Sequence, residues 1–182
     1  HTEGDRLKFI NCRILGNQDT IYTGAKFTRL YFKDCYIDGT TDFIFGPSTA
    51  LFENCMIHSK RNSYVTAAST PKEAKYGYIF KHCKLTAEPG VDKVYLGRPW
   101  RPYAYTLFIE CELGKHIVFA GWHNWGKQSN EETARYMEYK NTGEGANASE
   151  RVAWSKQLTK KEAEAVTVDA IFRTQSDWNP ID

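Results

Sequence analysis

Phe32-Lys33-Asp34-Cys35-Tyr36-Ile37 is one of five copies of the six-residue frame that decides the fold of this chain. The frame reads Phe, any residue, a polar residue, Cys, any residue, and then Ile or Leu. The other copies are Phe9-Ile10-Asn11-Cys12-Arg13-Ile14, Phe52-Glu53-Asn54-Cys55-Met56-Ile57, Phe80-Lys81-His82-Cys83-Lys84-Leu85 and Phe108-Ile109-Glu110-Cys111-Glu112-Leu113. Successive cysteines lie 23, 20, 28 and 28 residues apart. Such self-similarity is typical of solenoid proteins.

The frame also predicts the shape of each coil. Residues two apart share a strand face, so the Cys and the following aliphatic residue point the same way. The Phe, three places before the Cys, can face the same interior only if the chain bends between them. Short strands joined by bends predict a parallel β-helix, in which the cysteines stack as a buried ladder with no redox role. A leucine-rich repeat is the rival solenoid, but this chain has no Leu-rich consensus.

Length, composition and charge are those of a single globular domain. The chain has 182 residues, is 41% hydrophobic and 14% aromatic, and carries a net charge of +2. These values give no indication of nucleic-acid binding, although they permit a polyanionic ligand. No apolar run is long enough to span a membrane, and the first residues do not form a signal-peptide pattern. Five cysteines without a Cys-x-x-Cys pair, and five scattered histidines, predict neither a complete disulfide framework nor a metal site.

The repeat pattern ends before the chain does. We expect coils over residues 1–126 and a C-terminal tail over residues 127–182, within one domain. The polar segment from Lys60 to Lys75 is typical of a loop. Thr159-Lys160-Lys161-Glu162 is a capping box, which predicts a helix through about Phe172. The tail is expected to cover the open end or the side of the coils.

Two aspartates occupy the same place in neighbouring repeats. Asp19 follows Cys12 by seven residues, and Asp42 follows Cys35 by seven. Equal offsets stack the two carboxylates within one or two strand spacings of about 4.8 Å. Two carboxylates that close cannot both ionise freely, which separates a protonated acid from a nucleophile or base. A single Asp at a strand start is ordinarily a solvated turn residue, and it is the shared register that favours a site.

Further candidate residues adjoin this pair. Gln18 can donate a hydrogen bond to a developing oxyanion, or can be an ordinary polar bend residue. Arg98, held between Gly97 and Pro99, can keep one carboxylate charged, or can lie in an exposed turn. Aromatic residues on a solenoid face can stack on sugar rings, and they follow at Trp100, Tyr103, Tyr105, Trp122 and Trp125. For Trp125 and Trp154 we expect packing against the core or the tail instead.

Taken together, these motifs resemble those of the pectin methylesterases, the pectinesterases of carbohydrate esterase family 8. The resemblance covers almost the whole chain, in matching order and approximate spacing. The motifs are Gly16-Asn17-Gln18-Asp19-Thr20, Asp42-Phe43-Ile44-Phe45-Gly46, Leu96-Gly97-Arg98-Pro99-Trp100 and Ala120-Gly121-Trp122, followed by Tyr136-Met137-Glu138-Tyr139-Lys140-Asn141-Thr142-Gly143 and Arg151-Val152-Ala153-Trp154-Ser155.

The resemblance implies an all-β, right-handed parallel β-helix that hydrolyses methyl esters of galacturonate in pectin (homogalacturonan) and releases methanol. It implies no metal or organic cofactor, and a secreted or periplasmic setting because pectin is extracellular. By position Asp42 is the nucleophile, Asp19 the general acid and base, and Gln18 the oxyanion stabiliser. Arg98 would orient Asp42 and the substrate. The sugar-binding residues implied are Tyr22, Phe45, Trp100 and Trp122.

One departure from the family leaves an alternative open. Family members extend further on the N-terminal side, through coils that carry a second oxyanion-hole glutamine and a Gly-x-Tyr-x-Glu strand, whereas this chain begins at His1. The expectation is either a fragment of a longer protein or an incomplete oxyanion hole. A non-catalytic pectin-binding or structural β-helix is therefore the second hypothesis. Polygalacturonases and pectate lyases rank lower, because their Asp-Asp pair, Gly-His-Gly pattern and acidic Ca²⁺ cluster are missing from the sequence.

Overall fold

The computed structural model describes residues 1–173 and 176–181 and is built mainly from short strands. In chain order the strands are β1 (Leu7–Ile10), β2 (Arg13–Ile14), β3 (Ile21–Tyr22), β4 (Arg29–Lys33), β5 (Tyr36–Gly39), β6 (Ile44–Gly46), β7 (Thr49–Glu53), β8 (Met56–Ser59), β9 (Tyr64–Ala68), β10 (Tyr78–Lys81), β11 (Lys84–Ala87), β12 (Tyr95–Gly97), β13 (Tyr105–Ile109), β14 (Glu112–Leu113), β15 (Arg135–Tyr139) and β16 (Lys156–Gln157). The helices are α1 (Ser129–Thr133), α2 (Lys160–Glu164) and α3 (Val168–Phe172), with a 3-10 turn at Ala148–Glu150.

The strands form three parallel sheets that wrap around one core. Within the described residues, the orders are β1-β4-β7-β10-β13-β15-β16, β14-β11-β8-β5-β2 and β12-β9-β6-β3. Each complete coil contributes one strand to each sheet and pairs with the coils before and after it. The predicted right-handed parallel β-helix is therefore confirmed.

The bend predicted inside the frame is present in every copy. The residue before each frame cysteine has a left-handed backbone conformation, with φ between 50° and 55°. These residues are Asn11, Asp34, Asn54, His82 and Glu110. Non-glycine residues adopt this conformation at a cost of about 1–2 kcal/mol, and Asn and Asp tolerate it best. The bend turns the chain from the first sheet into the second and leaves Phe and Cys both facing the interior.

Stacked side chains hold successive coils in register. The five frame phenylalanines form one column, with ring centroids 4.4–4.7 Å apart and rings within 10° of parallel. Each later frame thiol hydrogen-bonds to the carbonyl of the Phe one coil earlier, as Cys83 does to Phe52 at 3.3 Å. All five thiols, which lie within the described part of the chain, are free. The predicted buried ladder is confirmed for four of them, while Cys12 is half-buried.

The coils continue one turn beyond the residue at which the cysteine frame stops. β15 pairs with β13, which places Glu138 opposite Phe108 in the phenylalanine column. Asn141 takes the place of a cysteine, and its Oδ1 accepts from the backbone N–H of Cys111 at 2.9 Å. Glu138 is 2% exposed and binds the Arg151 guanidinium, with an Nε–Oε1 distance of 2.7 Å. The column therefore ends in a buried ion pair.

The helices of the C-terminal tail cover a side of the β-helix, whereas Trp154 of the tail packs against Tyr136 in the last coils of the core. Two short helices replace the single helix expected from Thr159 to Phe172. Thr159 and Glu162 form the predicted capping box of α2, whereas Thr167 accepts from Ala170 and starts α3 anew. The apolar faces of both helices pack on the outer face of the seven-stranded sheet, where they bury Ile171 and Phe172 against residues such as Tyr31 and Leu107.

Candidate active site

The four-stranded sheet brings the two aspartates together. β3 pairs with β6 so that Ile21 lies opposite Ile44, and the same register sets Asp19 opposite Asp42. Asp19 donates its N–H to the Thr41 carbonyl, and Asp42 donates its own to the Tyr64 carbonyl. Both aspartates are left-handed, with φ of 58° and 50°. The repeat therefore places two aspartates of the same backbone conformation just before adjacent strands, about 4.8 Å apart along the sheet.

Asp42 is held by a bidentate ion pair. Arg98 follows β12, and its Nε donates to Oδ1 of Asp42 at 3.0 Å while its Nη2 donates to Oδ2 at 2.7 Å. The Asp42 side chain is 9% exposed and the Arg98 side chain 19%. Paired hydrogen bonds from a guanidinium stabilise an ionised carboxylate in such a shielded place.

Asp19 is the more solvated member of the pair. Desolvation, and then the negative charge of Asp42, raise the pKa of Asp19, while the positive charge of Arg98 acts in the opposite direction. Asp19 therefore retains a proton to higher pH than an ordinary aspartate. The site combines a carboxylate that is paired with a guanidinium and a carboxyl group whose pKa is raised.

The carboxylates open into a cavity of about 250 Å³. It collects six of the residues that the sequence assigns to the site, and Ala67 and Trp125 complete the lining. The six are Gln18, Asp19, Asp42, Phe45, Arg98 and Trp100. A larger groove of about 430 Å³ between Phe27 and Ile171 holds only one carboxylate, Glu73. Only the first of these two cavities offers the chemistry of a carboxylate pair.

Phe45 and Trp100 line this cavity, and a third aromatic ring, that of Tyr22, packs against both. Tyr22 stacks on Phe45 with ring centroids 4.6 Å apart, and Trp100 meets both rings edge-on at 6.4 Å and 5.8 Å. All three are partly exposed. They form an apolar wall next to the carboxylates, of the kind that binds a flat, partly apolar ligand.

Trp122 lies in the core and Trp125 lines the cavity, which is the reverse of what the sequence predicts. The resemblance implies a cleft position for Trp122, but this residue is 1% exposed and stacks on Tyr136 at 4.3 Å. Its Nε1 donates to Oε1 of Glu138 at 3.3 Å. The buried carboxylate of Glu138 therefore provides the acceptor that the indole N–H needs in the core. Trp125, for which packing against the core or the tail is expected, lies over Arg98 and lines the cavity.

The described part of the chain contains neither the pattern of a metal-binding cluster nor that of a membrane-spanning helix. Residues 1–173 and 176–181 contain no group of three or more His, Cys, Asp or Glu side chains arranged to hold a metal ion. Within the same ranges, every helix is too short or too polar to cross a bilayer.

Comparison with known proteins gives one consistent relationship. The sequence profile of the family described as pectinesterase matches residues 1–175. Pectinesterase 31 of Arabidopsis thaliana is 44% identical over 160 residues, which is 87% of this chain and 50% of that protein. Putative pectinesterase 11 of the same plant is 39% identical over 177 residues, or 96% of this chain and 49% of the relative. The chain thus spans about half the length of the curated relatives it matches.

Solved structures show the same relationship. The pectin methylesterase from carrot is 33% identical with a TM-score of 0.86, and the match covers 92% of this chain and 57% of the carrot chain. The pectin methylesterase PemA from Erwinia chrysanthemi is 31% identical with a TM-score of 0.81, covering 97% and 59%. A pectin methylesterase in complex with a hexasaccharide is 30% identical with a TM-score of 0.79, also covering 97% and 59%.

Proposed function

The chain belongs to the pectinesterase family, and on that premise we propose that it hydrolyses methyl esters of galacturonate in pectin, with release of methanol. The observation that carries the proposal is Asp42, gripped by Arg98 and stacked in register with Asp19. This arrangement supplies a charged carboxylate and a proton donor at one end of an aromatic-walled cavity. Because the substrate is a cell-wall polymer, we place the protein in an extracellular or periplasmic setting.

In the first half-reaction, Asp42 is the nucleophile. One carboxylate oxygen of Asp42 attacks the ester carbonyl carbon, and the carbonyl oxygen takes up the negative charge of a tetrahedral intermediate. Gln18 lines the cavity and donates to that oxygen. Asp19 transfers its proton to the methoxy oxygen, so methanol leaves and a mixed anhydride remains between Asp42 and the galacturonate.

In the second half-reaction, the roles of Asp19 reverse. The carboxylate of Asp19, now deprotonated, takes a proton from water, and the resulting hydroxide attacks the galacturonate carbonyl of the anhydride. The bond to Asp42 breaks, and Asp42 leaves as a carboxylate that Arg98 receives. The products are an acidic galacturonate and methanol, and Asp19 is again protonated for the next turnover.

The aromatic wall supplies the sugar-binding face. Phe45 and Trp100 line the cavity, and Tyr22 packs against both rings beside it. A galacturonate ring has apolar C–H faces that pack on such rings, while its carboxylate or ester is directed to the aspartates. A related pectin methylesterase has been solved with a hexasaccharide, which agrees with a polysaccharide ligand.

Substitution of Asp42 by Asn tests the proposal. The variant keeps the side-chain volume but lacks a nucleophilic carboxylate, so methanol release from methylated pectin is expected to fall to background. Asp34→Asn is the matched control, because Asp34 has the same left-handed backbone, with φ of 52°, at an exposed bend outside the cavity. Hydroxylamine is expected to trap the anhydride as a galacturonate hydroxamate in the unsubstituted protein and in this control, but not in Asp42→Asn.

Three further outcomes would change the conclusion. Undiminished methanol release by Asp42→Asn would exclude Asp42 as the nucleophile. Pectin binding without methanol release in the unsubstituted protein would favour the non-catalytic alternative. New reducing ends, or an unsaturated product that absorbs in the ultraviolet, would point to cleavage of the glycosidic bond instead.

A further inference from the structure

Both faces of the Arg98 guanidinium are covered by aromatic rings. The carbon Cζ lies 3.9 Å from the centre of the Tyr64 ring and 3.7 Å from the centre of the Trp125 ring. The edge of the same guanidinium carries both hydrogen bonds to Asp42. Two rings on the faces and a carboxylate on the edge leave this side chain little freedom to rotate.

Tyr64 contacts both members of the ion pair. It lies at the start of β9, the strand between those that carry Asp42 and Arg98. Its carbonyl accepts the N–H of Asp42 at 2.9 Å, and its ring lies against the guanidinium. One residue therefore fixes the backbone of Asp42 and the plane of Arg98 at the same time.

Trp125 covers the opposite face from a tightly bonded turn. Its φ is 64°, a left-handed conformation that a tryptophan rarely adopts. Its N–H donates to Nδ1 of His123 at 2.9 Å, and the N–H of His123 donates to the Gly97 carbonyl at 3.1 Å. Asn124 accepts from the N–H of Gly126 at 2.9 Å. These bonds tie the indole to β12, which leads directly into Arg98.

The protonation of His123 agrees with this arrangement. Burial, and then the positive charge of Arg98, lower the pKa of His123. The neutral imidazole leaves Nδ1 free to accept the hydrogen bond from Trp125.

We propose that Tyr64 and Trp125 are positioning residues that clamp the Arg98 guanidinium in the plane in which it grips Asp42. An arginine side chain otherwise samples many rotamers and is hydrated on both faces. Stacking on two rings removes that freedom and that water, and aims the paired N–H groups at one carboxylate. The catalytic part of this inference rests on the proposed role of Asp42, while the clamp itself can be observed without turnover.

The clamp predicts a spectroscopic signature that does not depend on activity. In a ¹⁵N-labelled protein, the Nε–H of Arg98 is identified by its loss in Arg98→Lys. Ring currents from two aromatic faces and the bond to Asp42 should shift this proton and slow its exchange with water. Tyr64→Leu and Trp125→Leu each remove one of the two rings and are each expected to reduce both effects, whereas Tyr64→Phe retains them because the ring remains.

Kinetics test the consequence for Asp42. In each Leu variant, kcat for methanol release from methylated pectin is expected to fall about tenfold, in line with one cation–π contact at a shielded site, with a smaller change in KM. Tyr64→Phe should restore kcat. The matched control is Tyr36→Leu, because Tyr36 carries the guanidinium of Arg13 over its ring at 5.3 Å on the five-stranded sheet, outside the cavity.

The combined results distinguish a clamp from a pair of substrate-binding rings. If the Arg98 Nε–H signal is unchanged in both Leu variants, the clamp is wrong, whatever happens to the rate. A rise in KM at constant kcat would overturn positioning as well, and would make the rings substrate contacts. If the unsubstituted protein shows the signal but releases no methanol, the proposed function fails while the clamp stands.

Discussion

Arg98 grips Asp42 across an intervening strand: β9 lies between β6 and β12, yet the two side chains meet at 3.0 Å and 2.7 Å. The ion pair therefore spans three coils of the β-helix. On β9, the small residue Ala67 lies opposite Phe45 and lines the cavity beside Arg98. We expect different effects from substitutions of the Arg98–Asp42 ion pair, of Asp19 and of the core beneath these residues.

Replacement of Arg98 by Lys keeps the positive charge and removes the planar guanidinium that donates two parallel hydrogen bonds to Asp42. A lysine ammonium cannot donate two parallel hydrogen bonds to Asp42 or stack between two rings. We expect kcat/KM for methanol release to fall by about 10²-fold, comparable with the loss of one preorganised donor. Arg13→Lys is the control, and an equal loss in that variant would show that the effect is not specific to the site.

The negative charge of Asp42 should have a measurable effect on the pKa of Asp19. Negative charge on Asp42 contributes to the raised pKa of Asp19. Asp42→Asn removes that charge, so the proton on Asp19 is held less tightly and its pKa is expected to fall. Titration of the ¹³C carboxyl resonance of Asp19 in the two proteins provides the measurement. A pKa that stays constant or rises would mean that the two groups are not coupled.

The ion pair at the end of the phenylalanine column should be essential to stability. Glu138 and Arg151 are each 3% exposed at the side chain. Glu138→Gln leaves a buried guanidinium without its counter-charge, which typically lowers the free energy of unfolding by about 3–5 kcal/mol. Urea denaturation measures the change.

A double variant separates charge from packing at this position. Glu138→Leu with Arg151→Met removes both charges, so it is expected to be more stable than Glu138→Gln. If the double variant is the less stable of the two, hydrogen bonding by the pair outweighs its desolvation.

Acid should destabilise the fold through His116. Burial, and then the charge of His58, lower the pKa of His116 to about 4, and the residue is 3% exposed. In the unfolded chain a histidine side chain has its ordinary pKa of about 6.5. As pH falls from about 6.5 toward 4, the unfolded state therefore gains the proton first, and stability decreases by at most about 1.4 kcal/mol per pH unit.

His116→Leu should flatten this dependence. Free energies of unfolding from urea titrations between about pH 4 and pH 8 would be compared for the two proteins. Their slopes should agree above about pH 7, where neither state of His116 is protonated. A slope that is equally steep at lower pH in the variant would assign the acid sensitivity to other groups.

The thiols should react according to their place in the ladder. Four of them are buried, whereas Cys12 lies half-buried in the first coil. A thiol reagent is expected to modify one cysteine rapidly in the folded protein and all five after unfolding. Cys12→Ala should abolish the fast phase. Fast modification of Cys83 would show that the coils open far more readily than the packing implies.

The repeated frame made most of the fold predictable. Phe, Cys and the aliphatic residue recur in one register, and that register fixes the bend, the phenylalanine column, the cysteine ladder and the opposition of Asp19 and Asp42. The sequence repeat does not predict a coil whose backbone continues the β-helix but whose side chains differ from the frame. The coil of β15 places Glu138 and Asn141 where Phe and Cys would stand, and the equivalence is visible in the pairing of β15 with β13 and in the contacts with Arg151 and Cys111.

The clamp residues were hidden for a different reason. Tyr64 lies in a polar segment that indicated a loop, although residues 64–68 form β9, which is stabilised by neighbouring strands and not by its own pattern. The exchange of Trp122 and Trp125 depends on the acceptor that Glu138 provides and on the left-handed turn at Trp125. The first is a contact between residues distant in the sequence and the second is a backbone angle, and neither can be read from a single sequence. The assignment of residues 1–182 to one domain stays a prediction.

The stacking of Asp19, Asp42 and Arg98 on separate strands sets a limit on how this protein can change in length. Loops between strands can grow without moving the three groups, because the pairing of β3, β6, β9 and β12 remains intact. Insertion or loss of a whole coil between residues 42 and 98 would displace Arg98 from Asp42 by about 4.8 Å, beyond hydrogen-bond reach. The same change between residues 19 and 42 would displace Asp19 from Asp42 by that distance. The number of coils between residues 19 and 98 is therefore fixed by chemistry, whereas outside that interval the solenoid is free to lengthen.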